Sequence, residues 1–349
     1  MPYSIVNADL KEDQDLIVSL WKRNFEGSPN GRFEWIYKNN PYGQPITFLL
    51  REENDGSIIG SYSLFPRTIW INGEYYTGYI CGDLVVDTQH RTLGPAMTLI
   101  KAALKKSEEE DLVLFGFPNN LSGPVLLLCG FKEIGPRTQL TKVIKSEYLI
   151  SRHIKQKYVS KILSYPVDMY LSFKYCDMFN NKKNKYKFEV LDSFDSRFDE
   201  LNDNVLPQCS LKGVVSSQYL SWRFENSPYG KSLIFVMTEK ESNKIIGFIV
   251  FCENKKKISI LDLAIKNNSM EEFRLMISRF SKELKSKKYE SISYQYAGDN
   301  NFLNILKKNG FSIRSQELKT ILYLPNSKKD KIDEIKKGHW YLTAADNDL

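Results

Sequence analysis

Two stretches of this sequence are near copies of each other. Trp35 opens Trp-Ile-Tyr-Lys-Asn-Asn-Pro-Tyr-Gly, ending at Gly43, and Trp222 opens Trp-Arg-Phe-Glu-Asn-Ser-Pro-Tyr-Gly, ending at Gly230. Each Trp is followed, 25 residues on, by the Gly of an Ile-Ile-Gly, at Gly60 and Gly247. Asp83-Leu84-Val85-Val86 is answered by Asp262-Leu263-Ala264-Ile265, and both copies close on Gly-Phe, at Gly130-Phe131 and Gly310-Phe311. A shared order of short matches points to internal duplication, so the chain must fold as two like units in series. The copies differ at one place, because only the first carries Arg91-Thr92-Leu93-Gly94-Pro95-Ala96.

The length suits this reading. At 349 residues the chain accommodates two units of roughly 150 residues each. With 42% apolar and 13% aromatic residues, each unit can bury a core. No apolar run approaches the ~20 residues of a membrane span, and Met-Pro-Tyr-Ser-Ile-Val has no signal-peptide pattern. Cys81, Cys129, Cys176, Cys209 and Cys252 are scattered, which predicts reduced thiols in a cytoplasmic protein. With three histidines, no metal site is expected. The net charge of +7 suits an anionic ligand, but no basic-aromatic module recurs, so no nucleic-acid partner is predicted.

The coarse pattern is α/β. In the first half, strands are expected over 3–6, 46–52, 57–65, 68–71, 74–79, 80–86 and 112–117. Helices are expected over 14–25, 94–106 and 121–128. Asn54-Asp55-Gly56 and Asn72-Gly73 are hairpin turns. The second half, from about Tyr186 to Leu324, repeats the order. The expected divisions are 1–145, a connecting segment at 146–185, 186–325, and a tail at 326–349. Residues 180–185 read as an exposed loop, and the Lys run at 328–337 as a solvated helix face.

A strand followed by Arg91-x-x-Gly94-x-Ala96 and an amphipathic helix can cradle phosphate. Gly94 lets an anion approach the backbone, and the helix start presents unpaired N–H groups. Arg91 can add a charged hydrogen bond. Pro95 is placed at the first helical position, where its ring is tolerated. This arrangement resembles the GNAT superfamily of acyl-CoA-dependent N-acyltransferases, whose pyrophosphate loop reads Gln/Arg-x-x-Gly-x-Gly/Ala. Asn119, Asn120 and Gly130-Phe131 match the family's following strand and helix. Leu126 stands where many relatives have a Tyr that protonates the leaving thiolate.

The resemblance implies two tandem GNAT-like domains, each a twisted, mostly antiparallel mixed sheet flanked by helices. It implies acyl-CoA as co-substrate, held in the first half by Leu84, Val85, Val86, Arg91, Thr92, Leu93, Gly94, Pro95, Ala96 and Met97. The second copy has Lys266-Asn267-Asn268-Ser269-Met270 at the loop, and no CoA is expected there. Asp83 is the candidate base, although Asp262 in the copy without a loop argues for a structural role. His90 is a weaker candidate beside the loop. Asn119 and Asn120 are candidates for substrate contact or for capping a helix.

The Pro-Tyr-Gly repeat and the C-terminal Trp340-x-Leu342-Thr343-x-x-Asp346-x-Asp348 look like bacterial enzymes that acylate nucleotide-linked amino-dideoxy sugars, with acetyl or 3-hydroxybutyryl groups. On that resemblance Tyr37, Asn39, Trp340, Thr343 and Asp346 are candidate substrate ligands. The tail is then expected over the substrate cleft. The implied partners are acyl-CoA and a nucleotide-linked, dTDP-type amino sugar, and a homodimer is left open. The alternatives are a non-catalytic CoA-binding protein, or a tandem enzyme acting on a peptide or aminoacyl substrate.

Overall fold

A computed structural model describes residues 3–347, except 26, 28, 152, 155 and 175–184. The first half runs β1 (Tyr3–Asn7), α1 (Gln14–Asn24), β2 (Ile46–Glu52), β3 (Ile58–Ile71), β4 (Glu74–Val86), α2 (Leu93–Glu110), β5 (Val113–Gly116), α3 (Ser122–Cys129) and β6 (Lys132–Val143). Two connecting helices follow, α4 (Glu147–Ser151) and α5 (Lys157–Lys174). The second half runs β7 (Tyr186–Leu191), α6 (Arg197–Val205), β8 (Leu211–Gly213), α7 (Ser217–Leu220), β9 (Leu233–Glu239), β10 (Ile245–Asn254), β11 (Lys257–Ile265), α8 (Met270–Ser286), β12 (Ser291–Gly298), α9 (Asn300–Lys308) and β13 (Phe311–Tyr323). The chain ends with α10 (Lys331–Lys337) and β14 (Tyr341–Leu342). The strand segments expected at 57–65 and 68–71 are one strand, as are 74–79 and 80–86.

The mostly antiparallel sheet with flanking helices is the architecture expected. It is one sheet rather than two. Its order is β1-β2-β3-β4-β5-β13-β6-β12-β11-β10-β9-β7, with β8 on β3 and β14 on β12. The last strands of the two halves are exchanged. β13 lies between β5 and β6, and β6 lies between β13 and β12. Neither half can therefore complete its sheet alone.

The repeated Gly has a packing cause. A Cβ on Gly60 would meet the Val85 carbonyl oxygen at 2.7 Å, and one on Gly247 would meet that of Ala264 at 2.9 Å. Both positions let the next strand come close. The repeated Trp has a different task. Trp35 and Trp222 stack across the join, with centroids 5.0 Å apart. Trp35 Nε1 donates to the Trp222 carbonyl at 2.8 Å, and Trp222 Nε1 donates to the Trp35 carbonyl at 2.9 Å. The two copies thus recognise each other through the residues that betray the duplication. In the first half α2 buries Leu99, Ile100 and Ala103 on Leu64, Leu114 and Ile321.

Candidate active site

Both parallel strand pairs of the sheet come apart partway. β4 pairs with β5 only from Gly78–Ile80 against Val113–Phe115. Beyond that the strands diverge and β4 bulges. Ser63 pairs with Gly82 and Ser61 with Val85, so Tyr62 alone faces both Asp83 and Leu84. Asp83 takes φ = 50°, a left-handed conformation that Asp tolerates better than most side chains. Between the diverging strands lies a cavity of about 400 Å³, bounded by Tyr62, Gly82, Leu84, Asn119, Leu126 and Tyr229.

Asp83 also borders this cavity, but its carboxylate is committed elsewhere. Arg32 donates to both oxygens, at 2.8 and 3.0 Å, and the Tyr37 hydroxyl donates at 2.8 Å. Arg32, Tyr37 and Asp83 are all buried. Burial works against the Arg32 charge, but Asp83 outweighs it and the pKa rises. Burial and then the Asp83 charge hold the Tyr37 hydroxyl well above its usual range, so it stays a donor. Both oxygens of the carboxylate are thus directed at Arg32 and Tyr37 rather than into the cavity. The geometry therefore favours a positioning role for Asp83. Tyr37 serves that network and does not border the cavity. Arg32 had no signal in the sequence, because the matching position of the second copy is Tyr219.

Tyr229 reaches the cavity from the other half, and its hydroxyl accepts from Arg32 Nε at 2.9 Å. Burial pushes its pKa up. The repeated Pro-Tyr-Gly was the signal for this residue. Asn119 borders the cavity while its Oδ1 accepts from the Leu121 and Ser122 amides, both at 2.9 Å. It thereby fixes the turn that leads into α3. Asn120 is exposed and is not among the residues bounding the cavity.

At the end of β4, Val85 and Val86 turn their side chains into the core. Asp87 then binds Arg23 at 2.8 Å and Asn24 at 2.6 Å, which fixes the start of the loop. Arg91 Nε donates to the Val86 carbonyl and Nη2 to Asn24, both at 2.9 Å. Its guanidinium thus braces the loop from behind, where a phosphate contact was expected. α2 starts at Leu93, so Pro95 is its third residue and not its first. The proline is still tolerated, since the N–H it lacks would have no partner inside the helix. Thr92 makes no side-chain cap, and the first turn holds no acidic residue. A Cβ on Gly94 would meet nothing within 4 Å. The start of α2 is therefore unobstructed beside Gly94, as an anion site at a helix start requires. Ala96 packs against the first-half core and Met97 is half-buried. His90 meets Tyr3 and Glu52 away from the cavity.

The tail lies elsewhere. β14 pairs with β12 at Ala297 and Gly298, beyond the point where β11 and β12 part. Residues 340–346 thus occupy the second splay. Trp340, Thr343 and Asp346 are buried. Asp346 accepts from Arg67 of β3 at 2.9 Å and, through Oδ2, from the Thr343 amide at 2.9 Å. This corrects the expectation that the tail covers the substrate cleft, since none of the three borders the cavity. Asp348 lies outside the described residues. Asn39 is exposed and borders a separate groove of about 640 Å³, where Trp35 and Trp222 meet.

Residues 8–125 match the acetyltransferase (GNAT) domain family. That match spans 118 of the 349 residues, all in the first half. No curated protein matches the chain in sequence. Among solved structures, a probable N-acyltransferase from Enterococcus faecalis V583 is similar with TM-score 0.67 at 10% identity, over 92% of this chain and 72% of that one. A GCN5-related N-acetyltransferase from Anabaena variabilis has TM-score 0.66 at 13% identity, over 93% and 73%. Saccharomyces cerevisiae N-myristoyltransferase with bound myristoyl-CoA has TM-score 0.53 at 13% identity, over 92% and 82%. At such identities these likenesses establish the fold. The bulge at Asp83–Leu84, the cavity beside it and the start of α2 all lie in or beside the stretch that this family model matches. Among the described residues no helix is long and apolar enough to cross a membrane, and no group of His, Cys, Asp and Glu could hold a metal.

Proposed function

We propose that the chain is an acyl-CoA-dependent N-acyltransferase with one working site, in the splay between β4 and β5. The observation that carries this reading is the cavity beside the bulge at Asp83–Leu84, together with the open start of α2. The CoA pyrophosphate would sit at the Leu93 and Gly94 amides and the thioester in the cavity. The acceptor's neutral amine attacks the thioester carbonyl carbon. The C–N bond forms, the C–S bond breaks, and sulfur leaves as thiolate. Amides on the unpaired edge of β4 polarise the carbonyl oxygen. The proton lost by the amine goes to the thiolate or to water.

Asp83 holds Arg32 and Tyr37 in place, and Arg32 presents Tyr229 to the acceptor. Asp83→Asn should then lower kcat by about tenfold or more with the pH profile unchanged. Loss of a general base would cost about 10²–10⁴-fold and remove a titrating limb. Such a limb, present in the native enzyme and lost in the variant, would restore Asp83 as the base.

We propose further that the amine belongs to a nucleotide-linked, dTDP-type amino-dideoxy sugar. Support comes from the Pro-Tyr-Gly resemblance and from the polar cavity mouth, where Tyr229 and Asn119 can meet sugar hydroxyls. An assay of thiol release from acetyl-CoA and 3-hydroxybutyryl-CoA tests this against dTDP-amino sugars and peptide amines. Turnover with the sugars alone is expected, and turnover with peptides alone defeats the sugar assignment. Tyr229→Phe should raise the acceptor KM about fivefold, the scale of one hydrogen bond, with CoA affinity unchanged.

A further inference from the structure

α5 is built inside out. Its inward stripe is polar: Ser160 and Ser164 are buried, and Asp168 Oδ1 accepts from the Ser146 amide at 2.7 Å. Its outward face is apolar. Tyr158 is 85% exposed, Ile162 68% and Tyr165 67%, and Met169, Tyr170 and Leu163 continue the same surface. A helix on a soluble protein normally shows the reverse pattern. An exposed apolar surface of this kind marks a contact with something apolar.

Charge identifies the occupant. Beneath α5 a cavity of about 610 Å³ is bordered by Lys145, Lys161, Lys282 and Lys285, with Glu147 and Asp168 as the acidic groups facing it. Two copies meeting through this surface would bring like charge together. A bilayer with anionic headgroups meets every feature. Apolar side chains enter the acyl boundary, tyrosines suit the interface, and lysines reach headgroup phosphates. Among the described residues no helix is long and apolar enough to cross a membrane.

We propose that α5 docks the protein onto an anionic phospholipid surface, lying in the interface plane with Tyr158, Ile162 and Tyr165 inserted. The test is co-sedimentation of the full chain with vesicles of phosphatidylcholine alone, and of phosphatidylcholine with about one-third phosphatidylglycerol. Binding to the anionic vesicles alone, weakened by added salt, is expected. The combined substitution Y158S, I162S and Y165S should reduce binding by about tenfold or more. These side chains are exposed, so folding and CoA affinity should stay unchanged. Lys161→Glu with Lys282→Glu should also weaken binding, through charge alone. The proposal fails if the native chain ignores both vesicles, or if the triple variant binds as well as native. It also fails if sedimentation equilibrium shows a dimer that the triple substitution dissolves, because a second copy then covers the face.

Discussion

The two splayed strand pairs of this molecule carry the same repeat and differ in the helix start beside them, in what lies between the strands and in the partners of their shared Asp. In the first, α2 starts with an uncapped Thr92, an open Gly94 and no acidic residue in its first turn. In the second, Ser269 caps α8 by accepting from the Glu272 amide, and Glu271 and Glu272 fill the first turn. One helix start invites an anion and the other repels it. The first splay encloses a cavity, while the second is filled by the chain's own residues 340–346. Asp83 is satisfied by Arg32. Asp262 is buried with Lys212, and burial pushes its carboxyl up to about 6 against that pull. The duplicated fold thus leaves one cleft open and fills the other with its own chain, and the second half lends Tyr229 to the open one.

The comparison breaks first at Asp346. If the tail is a structural plug, Asp346→Ala leaves Arg67 charged and buried without its partner. The expected loss of stability is about 3–5 kcal/mol, measured by urea denaturation. A loss below about 1 kcal/mol would mean that the tail is a dispensable terminus. CoA affinity, measured on the folded fraction, should barely change, because no tail residue borders the cavity.

The duplication was legible because Trp35 and Gly60 have partners at fixed spacing in one dimension. The turn from strand into helix at 91–96 was legible as a local pattern, without a partner in the second copy. What stayed hidden was set by distant pairs. Arg32 meets Asp83 across 51 residues, and Asp346 meets Arg67 across 279. No periodicity signals such contacts. The exchange of β6 and β13 was hidden too, since each has the same pattern of side chains whichever neighbour it pairs with. The tail was misread because Trp, Thr and Asp suit a sugar and a capped, buried turn equally well.

A second difference lies in pH dependence. Asp262 has its folded pKa raised from 3.8 to about 6. The native state therefore holds a proton that the unfolded chain has already released between about pH 4 and 6. Stability from this group is present at low pH and is lost as pH rises through 6. The difference corresponds to at most about 3 kcal/mol, at 1.36 kcal/mol for each pKa unit. Denaturation midpoints taken from pH 4 to 7 should fall less steeply in Asp262→Asn than in the native chain. Parallel curves would show that the buried carboxylate is ionised throughout and fully paired with Lys212.

The smallest effect bears most directly on which cleft works. Gly94→Asp puts a carboxylate into the open space before α2, where the pyrophosphate is placed by the proposed function. It should weaken CoA binding by about 1–3 kcal/mol, the scale of a lost charged hydrogen bond. The backbone at Gly94 is ordinary and a Cβ there meets nothing, so the fold should tolerate the change. The reciprocal experiment is Glu271→Gly with Glu272→Gly, which removes the acidic turn of α8. If acidity alone closed the second half, calorimetry would then find a second CoA. The expected result is still one, because residues 340–346 fill that splay whatever the charge at the helix start. A second site in this variant would mean that the plug yields to the ligand, and that the two halves differ by two glutamates more than by the tail.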